Sequence, residues 1–217
     1  MIVLKTSREL AKMREAGRIS ALALQAGGKA VQPGACISVN HVVIHGIPSK
    51  NIILKQGDIV SIDTGAMIDG YNGDNAYTFA CGDISKEAQA LLDATRESLY
   101  EGIAMAKPGN RIGDVGSAVQ RYAEARGYSV VRDFVGHGVG TSLHEDPSVP
   151  NYGKPGRGVR LTPGMVIAIE PMINAGTKSV RVMKDGWTTV TADGSLSAHF
   201  EHTVAITPDG PVILTRP

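Results

Sequence analysis

Four acidic residues interrupt apolar, strand-like stretches of this chain of 217 residues, and no other feature constrains its fold as strongly. They are Asp63, Asp74, Glu170 and Glu201. Charged side chains are rarely buried unless they are paired or bind a metal. One such acid alone would be interpreted as an edge-strand residue that faces water, but this explanation extends poorly to four. The sequence therefore predicts that buried carboxylates converge.

A converging set of four carboxylates would carry a charge that needs neutralisation. Two like charges 4 Å apart at an effective dielectric constant near 20 repel each other by about 4 kcal/mol. No Lys or Arg flanks any of the four acids, and the whole chain has a formal net charge of only +1. Either some of the acids stay protonated or cations neutralise them. Two divalent cations would bring the charge of the cluster to zero.

Histidines next to glycines supply further candidate site residues. His137 lies within Gly136-His137-Gly138, His144 follows seven residues later, and His45 precedes Gly46. Flanking glycines let the backbone approach a crowded site, although a single His is more often structural. The other histidines are interpreted as structural, and they are His41, His199 and His202.

The chemistry of these donors narrows the choice of metal. Four carboxylates and one imidazole favour Mn²⁺, Fe²⁺, Co²⁺ or Zn²⁺ in a two-metal site over a single structural zinc. Paired ions of this kind lie about 3.5–4 Å apart and serve hydrolysis. The residues alone thus indicate a metal-dependent hydrolase.

Periodicity and turn signals predict an α+β fold. Thr6 and Glu9 form a capping-box pattern at the start of a first helix, and Asp69-Gly70 is typical of a hairpin turn. We expect a first helix that loosens at Gly27-Gly28 and stops at Pro33-Gly34, and then strands over 36–80. The strand that returns from the hairpin is predicted at 77–81. Two helices between Ser85 and Gly127 and strands from Tyr128 onward complete the expected order. We find no linker or composition shift, and we predict one domain over 1–217.

Composition and the N-terminal residues argue against several classes of protein. Near-zero net charge argues against a dedicated nucleic-acid binder, and two cysteines cannot form a disulfide framework. Neither a signal-peptide pattern nor an apolar run of about 20 residues is present. We therefore expect a cytoplasmic protein without a membrane partner.

A weak internal repeat shows one irregularity. Each half has a helix that ends in Pro-Gly, followed by a glycine-flanked His. Pro108 and His137 are 29 positions apart, whereas Pro33 and His45 are only 12 positions apart. The first half therefore lacks a segment that the second half contains.

Taken together, the motifs resemble type I methionine aminopeptidase, a family of pita-bread metallopeptidases. The resemblance runs from Thr6 to Pro208. The motifs are His45-Gly46-Ile47-Pro48, Ile62-Asp63 with Gly73-Asp74, Gly136-His137-Gly138-Val139-Gly140, His144-Glu145-Asp146-Pro147, Ile169-Glu170-Pro171-Met172 and Glu201-His202-Thr203. The resemblance implies a pita-bread fold, with two pseudo-symmetric α/β halves around a curved antiparallel sheet. The related proline-specific peptidases and creatinase have an additional N-terminal domain, for which this chain has no room.

The resemblance also implies a ligand set for two divalent metal ions. Asp63 would chelate one metal, while Asp74 and Glu201 would bridge both. His137 and Glu170 would complete the second coordination sphere.

The same resemblance implies catalytic and substrate-binding roles. His144 would donate a hydrogen bond to the substrate carbonyl and the developing oxyanion. His45 would contact the substrate near the nitrogen of the scissile bond, and Glu170 would shuttle a proton to the leaving amine. Cys36 and Trp187 would help to line the methionine pocket.

One departure from the family concerns the substrate site. A helix plus a loop is missing between Gly34 and Ala35, about 40 residues by usual element lengths. The loss removes one wall of the methionine pocket but no metal ligand.

The leading hypothesis is removal of the initiator methionine from nascent peptides. The alternatives are a metal-binding but catalytically impaired variant and an aminopeptidase of altered specificity.

Partner expectations follow from these hypotheses. We expect a peptide substrate, no nucleic acid, and a monomer. Lys154, Arg157 and Arg160 form a basic loop that could contact the ribosome transiently, but three spread charges favour a solvated loop.

Overall fold

The computed structural model describes residues 1–27 and 35–216. Its helices are α1 (Ser7–Gly27), α2 (Lys86–Met105) and α3 (Ile112–Glu124). Its strands are β1 (Cys36–Val39), β2 (Val42–Ile44), β3 (Ile59–Ile68), β4 (Tyr71–Ala80), β5 (Ser129–Val130), β6 (Gly136–Gly138), β7 (Glu145–Val149), β8 (Val166–Ile169), β9 (Met172–Asn174), β10 (Val180–Val182), β11 (Thr189–Thr191), β12 (Ser197–His199), β13 (His202–Thr207) and β14 (Gly210–Ile213). Every strand pair among these is antiparallel. No helix within the described ranges is long and apolar enough to span a bilayer.

Helix α1 begins at the predicted capping box and lies directly on the strand that carries Asp74. The Thr6 amide donates to Glu9 Oε2 at 2.7 Å, and the Glu9 amide donates to Thr6 Oγ1 at 3.4 Å. A Cβ added at Gly73 would lie 2.6 Å from the Gly17 Cα, so two glycines let the helix and strand backbones touch. This contact sets a short distance between α1 and β4.

The β3–β4 hairpin forms at the predicted turn. Asp69 and Gly70 have φ angles of 50° and 78°, and positive φ at both central residues is the requirement of a type I′ turn. In its register Gly65 faces Asp74 and Asp63 faces Ala76. Asp63 and Asp74 therefore lie diagonally on one face of the hairpin.

Strand β4 starts earlier than the sequence predicts. The predicted return strand was Tyr77–Cys81, whereas the structure begins it at Tyr71. Asn72 and Asn75 are poor strand formers, but both are buried and hydrogen-bonded, Asn72 to the Gly140 carbonyl and Asn75 to Ser20. Tertiary hydrogen bonds thus outweigh local propensity.

The second half of the chain builds a five-stranded sheet in the order β14-β13-β8-β6-β7. Ile169 pairs with His202, so Glu170 and Glu201 lie next to each other at one end of β8 and β13. His137 comes from β6, the neighbour of β8. Helices α2 and α3 cover this half with an aliphatic core that includes Leu91, Val119 and Ile167.

Two hydrogen-bonded contacts join the hairpin to this sheet. The Asp74 amide donates to Thr203 Oγ1 at 2.9 Å, and that hydroxyl donates to the Asp74 carbonyl at 2.7 Å. The Glu201 amide donates to the Ala76 carbonyl at 2.9 Å. Each half of the chain therefore brings two acids to the same junction.

Candidate metal centre

All nine site residues predicted from the sequence line one cavity of about 270 Å³. They are Cys36, His45, Asp63, Asp74, His137, His144, Glu170, Trp187 and Glu201. A larger groove of about 650 Å³ lies between the start of α1 and strands β13 and β14, but its described lining contains no acid or His. The acids and histidines of the smaller cavity, rather than its volume, distinguish it as the candidate site.

Three of the predicted ligands form the tightest cluster. Asp74, His137 and Glu201 each offer a ligand atom, and these atoms lie within 4.8 Å of one another. His137 Nε2 is 3.8 Å from Asp74 Oδ2 and 3.5 Å from Glu170 Oε1. His137 Nδ1 lies 2.9 Å from the Gly138 carbonyl, and an N–H at this position leaves a lone pair on Nε2 that faces the acids.

The buried acids of this cavity face no Lys or Arg among the described residues that line it. Glu201 is 2% exposed, and its Oε1 has no hydrogen-bond partner in the described part of the chain. A buried carboxylate oxygen without a partner is costly, and a bound cation would satisfy it. The donor set therefore fits divalent metal ions.

The pKa values of all four acids are raised above their usual range, with burial as the main cause. Burial, together with the charge of Asp74, raises the pKa of Asp63 to about 7. Burial and the neighbouring carboxylates hold the pKa values of Glu170 and Glu201 well above the usual range. Burial also raises the pKa of Asp74. Bound cations would relieve the repulsion between these buried carboxylates.

Metal-free protein should lose stability as the pH rises from 6.5 to 8.5. The acids have higher pKa values folded than unfolded, so the folded state binds more protons, and the free energy of unfolding falls with rising pH until the pH has passed the folded pKa values. His137 and His199 act oppositely only below pH 6.5, because burial lowers their pKa values to about 4 and about 3. A domain of this size loses about 2–4 °C in Tm per kcal/mol, so a drop of several degrees is expected.

Thermal unfolding after chelation measures this drop, and Mn²⁺ should restore more stability at pH 8.5 than at pH 6.5. Asp63→Asn should flatten the pH dependence of the metal-free protein. A Tm of the chelated wild type that does not change with pH would contradict the buried acid cluster.

The remaining predicted residues form the walls of the cavity. The His144 ring centroid is 4.0 Å from that of His137. His45 stacks on Trp187 at 4.3 Å, and its φ of 60° is uncommon for a residue with a side chain. Burial raises the pKa of the Cys36 thiol to about 11, so this side chain is a neutral wall rather than a nucleophile.

One residue in the cavity was not assigned to the site from the sequence. His199 was interpreted as structural, but it lines the cavity, is 2% exposed, and places Nε2 3.7 Å from Glu170 Oε2. Its position two residues before Glu201, on the same face of an extended segment, is the signal that could have identified it. His41, by contrast, is exposed, and His202 Nδ1 lies 2.9 Å from Thr215 Oγ1.

Comparisons with known proteins show the family to which this chain is similar. The sequence model of metallopeptidase family M24 matches residues 4–208. Methionine aminopeptidase 1 of Bacillus subtilis (strain 168) is 48% identical over 248 alignment positions, with 100% of each chain covered. The crystal structure of methionine aminopeptidase from Thermotoga maritima has a TM-score of 0.96 at 44% identity, with 100% of each chain covered. Prolidase from Pyrococcus horikoshii OT3 has a TM-score of 0.80 at 23% identity over 100% of this chain and 64% of its own, which shows the fold alone.

The alignment with the Bacillus protein also bears on the missing segment. It spreads the 217 residues of this chain over 248 positions, so about 31 positions face no residue here. This surplus supports the prediction that the chain lacks an internal segment. The predicted point of loss, after Gly34, borders residues 28–34, which lie outside the described residues.

These matches confirm the fold class and the family resemblance predicted from the sequence. The antiparallel sheets, with two acids from each half of the chain, agree with the pita-bread architecture. The family model covers nearly the whole length, and whole-chain relatives share close to half of their residues. The chain therefore belongs to metallopeptidase family M24.

Proposed function

We propose that this protein is a metal-dependent aminopeptidase that removes the N-terminal methionine from nascent proteins. The observation that carries the proposal is the convergence of four acids and four histidines in one cavity with apolar walls. Whole-chain relatives that are named methionine aminopeptidase support the choice of substrate.

The proposal includes two divalent ions, drawn from Co²⁺, Mn²⁺, Fe²⁺ and Zn²⁺. Asp63 would hold one ion, His137 and Glu170 would hold the other, and Asp74 and Glu201 would serve both. The close grouping of Asp74, His137 and Glu201 supports this arrangement. When bound, such ions polarise the scissile carbonyl and lower the pKa of a water nucleophile.

Side chains of this protein carry the remaining steps. His144 donates a hydrogen bond to the substrate carbonyl oxygen and stabilises the charge that develops there. Glu170 takes the proton of the attacking water and passes it to the leaving amine. His45, held against Trp187 and Phe134, contacts the scissile nitrogen side.

The walls of the cavity suit a methionine side chain. Cys36, Ile44, Leu143 and Trp187 present apolar surface next to the acids. A flexible, polarizable thioether fills such an irregular pocket well. Trp187 is 53% exposed and Leu143 is 37% exposed, so the pocket opens toward solvent on this side.

We further propose that residues 1–217 act as a single catalytic domain in the cytoplasm and as a monomer. Asp63 and Asp74 come from the first half and Glu170 and Glu201 from the second, so neither half has the complete site. Lys154, Arg157 and Arg160 are exposed, and we favour a solvated loop over a ribosome contact.

Peptide cleavage tests the proposal. Purified protein loaded with Mn²⁺ or Co²⁺ should release methionine from Met-Ala-Ser and should discriminate against X-Ala-Ser peptides with larger first residues. Two-metal binding by calorimetry without turnover on any peptide would favour the impaired variant. Comparable cleavage of larger first residues would favour altered specificity.

A further inference from the structure

A buried ion pair joins the start of the chain to a loop of the active site. Lys5 Nζ lies 2.7 Å from Glu145 Oε2, and the two side chains are 4% and 13% exposed. Lys5 is also held by its backbone amide, which donates to the Gly164 carbonyl at 2.7 Å. Because burying a charge pair costs desolvation, such a pair is weak evidence for a purely stabilising role.

The Glu145 carboxylate lies inside the turn formed by residues 140–145. Its Oε1 accepts from the Ser142 amide at 3.2 Å and from Thr141 Oγ1 at 3.5 Å. A Cβ at Gly140 would overlap the carboxylate, so the turn wraps closely around it. The ammonium of Lys5 supplies the positive charge that this enclosed carboxylate needs.

The opposite side of the turn is held by the strand that carries Asp74. The Asn72 amide and Nδ2 both donate to the Gly140 carbonyl at 2.9 Å. Asn72 Nδ2 also lies 3.2 Å from the Thr141 carbonyl. His144 belongs to this turn, so its imidazole is placed by supports on two sides.

We propose that Lys5 and Glu145 are positioning residues that fix the position of the His144 imidazole relative to the candidate metal ligands. The inference rests on the proposed function, since it concerns the hydrogen bond from His144 to the substrate. A shift of about 1 Å in a catalytic group can lower the rate by about 10²-fold. Removing the Lys5 charge releases the carboxylate from the turn and lets His144 move away from the substrate carbonyl.

A double-mutant cycle on turnover tests the proposal. Lys5→Met keeps most of the aliphatic stem and removes the charge. In the Mn²⁺-loaded protein, it should lower kcat on Met-Ala-Ser by about 10- to 100-fold with little change in KM. The same change in a His144→Ala background should have almost no further effect on kcat, because coupled residues are non-additive. Lys5→Arg should restore most of the rate.

Lys12→Met is the matched control. Lys12 lies on α1, and its Nζ forms a loose pair with Asp69 Oδ2 at 3.8 Å rather than with Glu145. It should leave kcat unchanged. Calorimetry should show that Lys5→Met binds Mn²⁺ like the wild type.

The proposal is overturned if Lys5→Met lowers kcat equally in the wild-type and His144→Ala backgrounds, or leaves it unchanged. If Lys5→Met does not fold, Glu145→Gln, which keeps the side-chain shape, replaces it in the same cycle. In the metal-free protein, the nuclear Overhauser effect between the rings of His137 and His144 gives a readout without turnover. It should weaken in Lys5→Met, and an unchanged signal overturns the positioning role even if the wild type cleaves no peptide.

Discussion

Glu201→Gln is expected to lower kcat on Met-Ala-Ser by about 10³-fold, because loss of a bridging carboxylate removes several kcal/mol of charge stabilisation. Glu201 is 2% exposed, and its Oε1 has no hydrogen-bond partner among the described residues. An amide fills the same space but cannot bridge two cations. Steady-state kinetics with Mn²⁺ and calorimetric metal titration measure the loss together.

The same substitution should leave the fold intact. A neutral amide removes one negative charge from a cluster in which the acids repel each other, so the metal-free variant should unfold at or above the wild-type temperature. Glu101→Gln, at an exposed position of α2, is the matched control and should keep full activity. Wild-type turnover in Glu201→Gln would refute the ligand assignment.

His144→Ala is expected to lower kcat by about 10²–10³-fold, the usual cost of removing one oxyanion donor. The His144 ring lies 4.0 Å from that of His137, at the cavity wall rather than within the Asp74, His137 and Glu201 cluster. Mn²⁺ affinity measured by calorimetry should therefore stay near the wild-type value. His41→Ala, at an exposed position, is the control for loss of an imidazole. A weakened metal affinity in His144→Ala would instead make His144 a ligand.

The helices were predictable because their signals are local. Thr6 and Glu9 cap α1, and Ser85 caps α2 by accepting from the Ala88 amide at 3.1 Å. The turn at Asp69-Gly70 is equally local, because only positive φ angles close it. The start of β4 was missed, since the buried partners of Asn72 are distant in sequence.

The acids of the site were predictable for a related reason. A carboxylate within an apolar strand has an unfavourable environment that shows in its nearest neighbours. The sequence alone thus identified the family and the four acids that line the cavity. His199 was missed because its significance depends on Glu170, 3.7 Å away across the cavity.

Only the tertiary structure decided how the cavity is assembled and supported. The hairpin register places Asp63 and Asp74 on one face, and the contacts of Asp74 with Thr203 bring that face to the second half of the chain. The Lys5–Glu145 pair joins residues 140 positions apart, and no local pattern encodes such a contact. Local chemistry determines which residues can act, whereas long-range hydrogen bonds and burial determine where they meet.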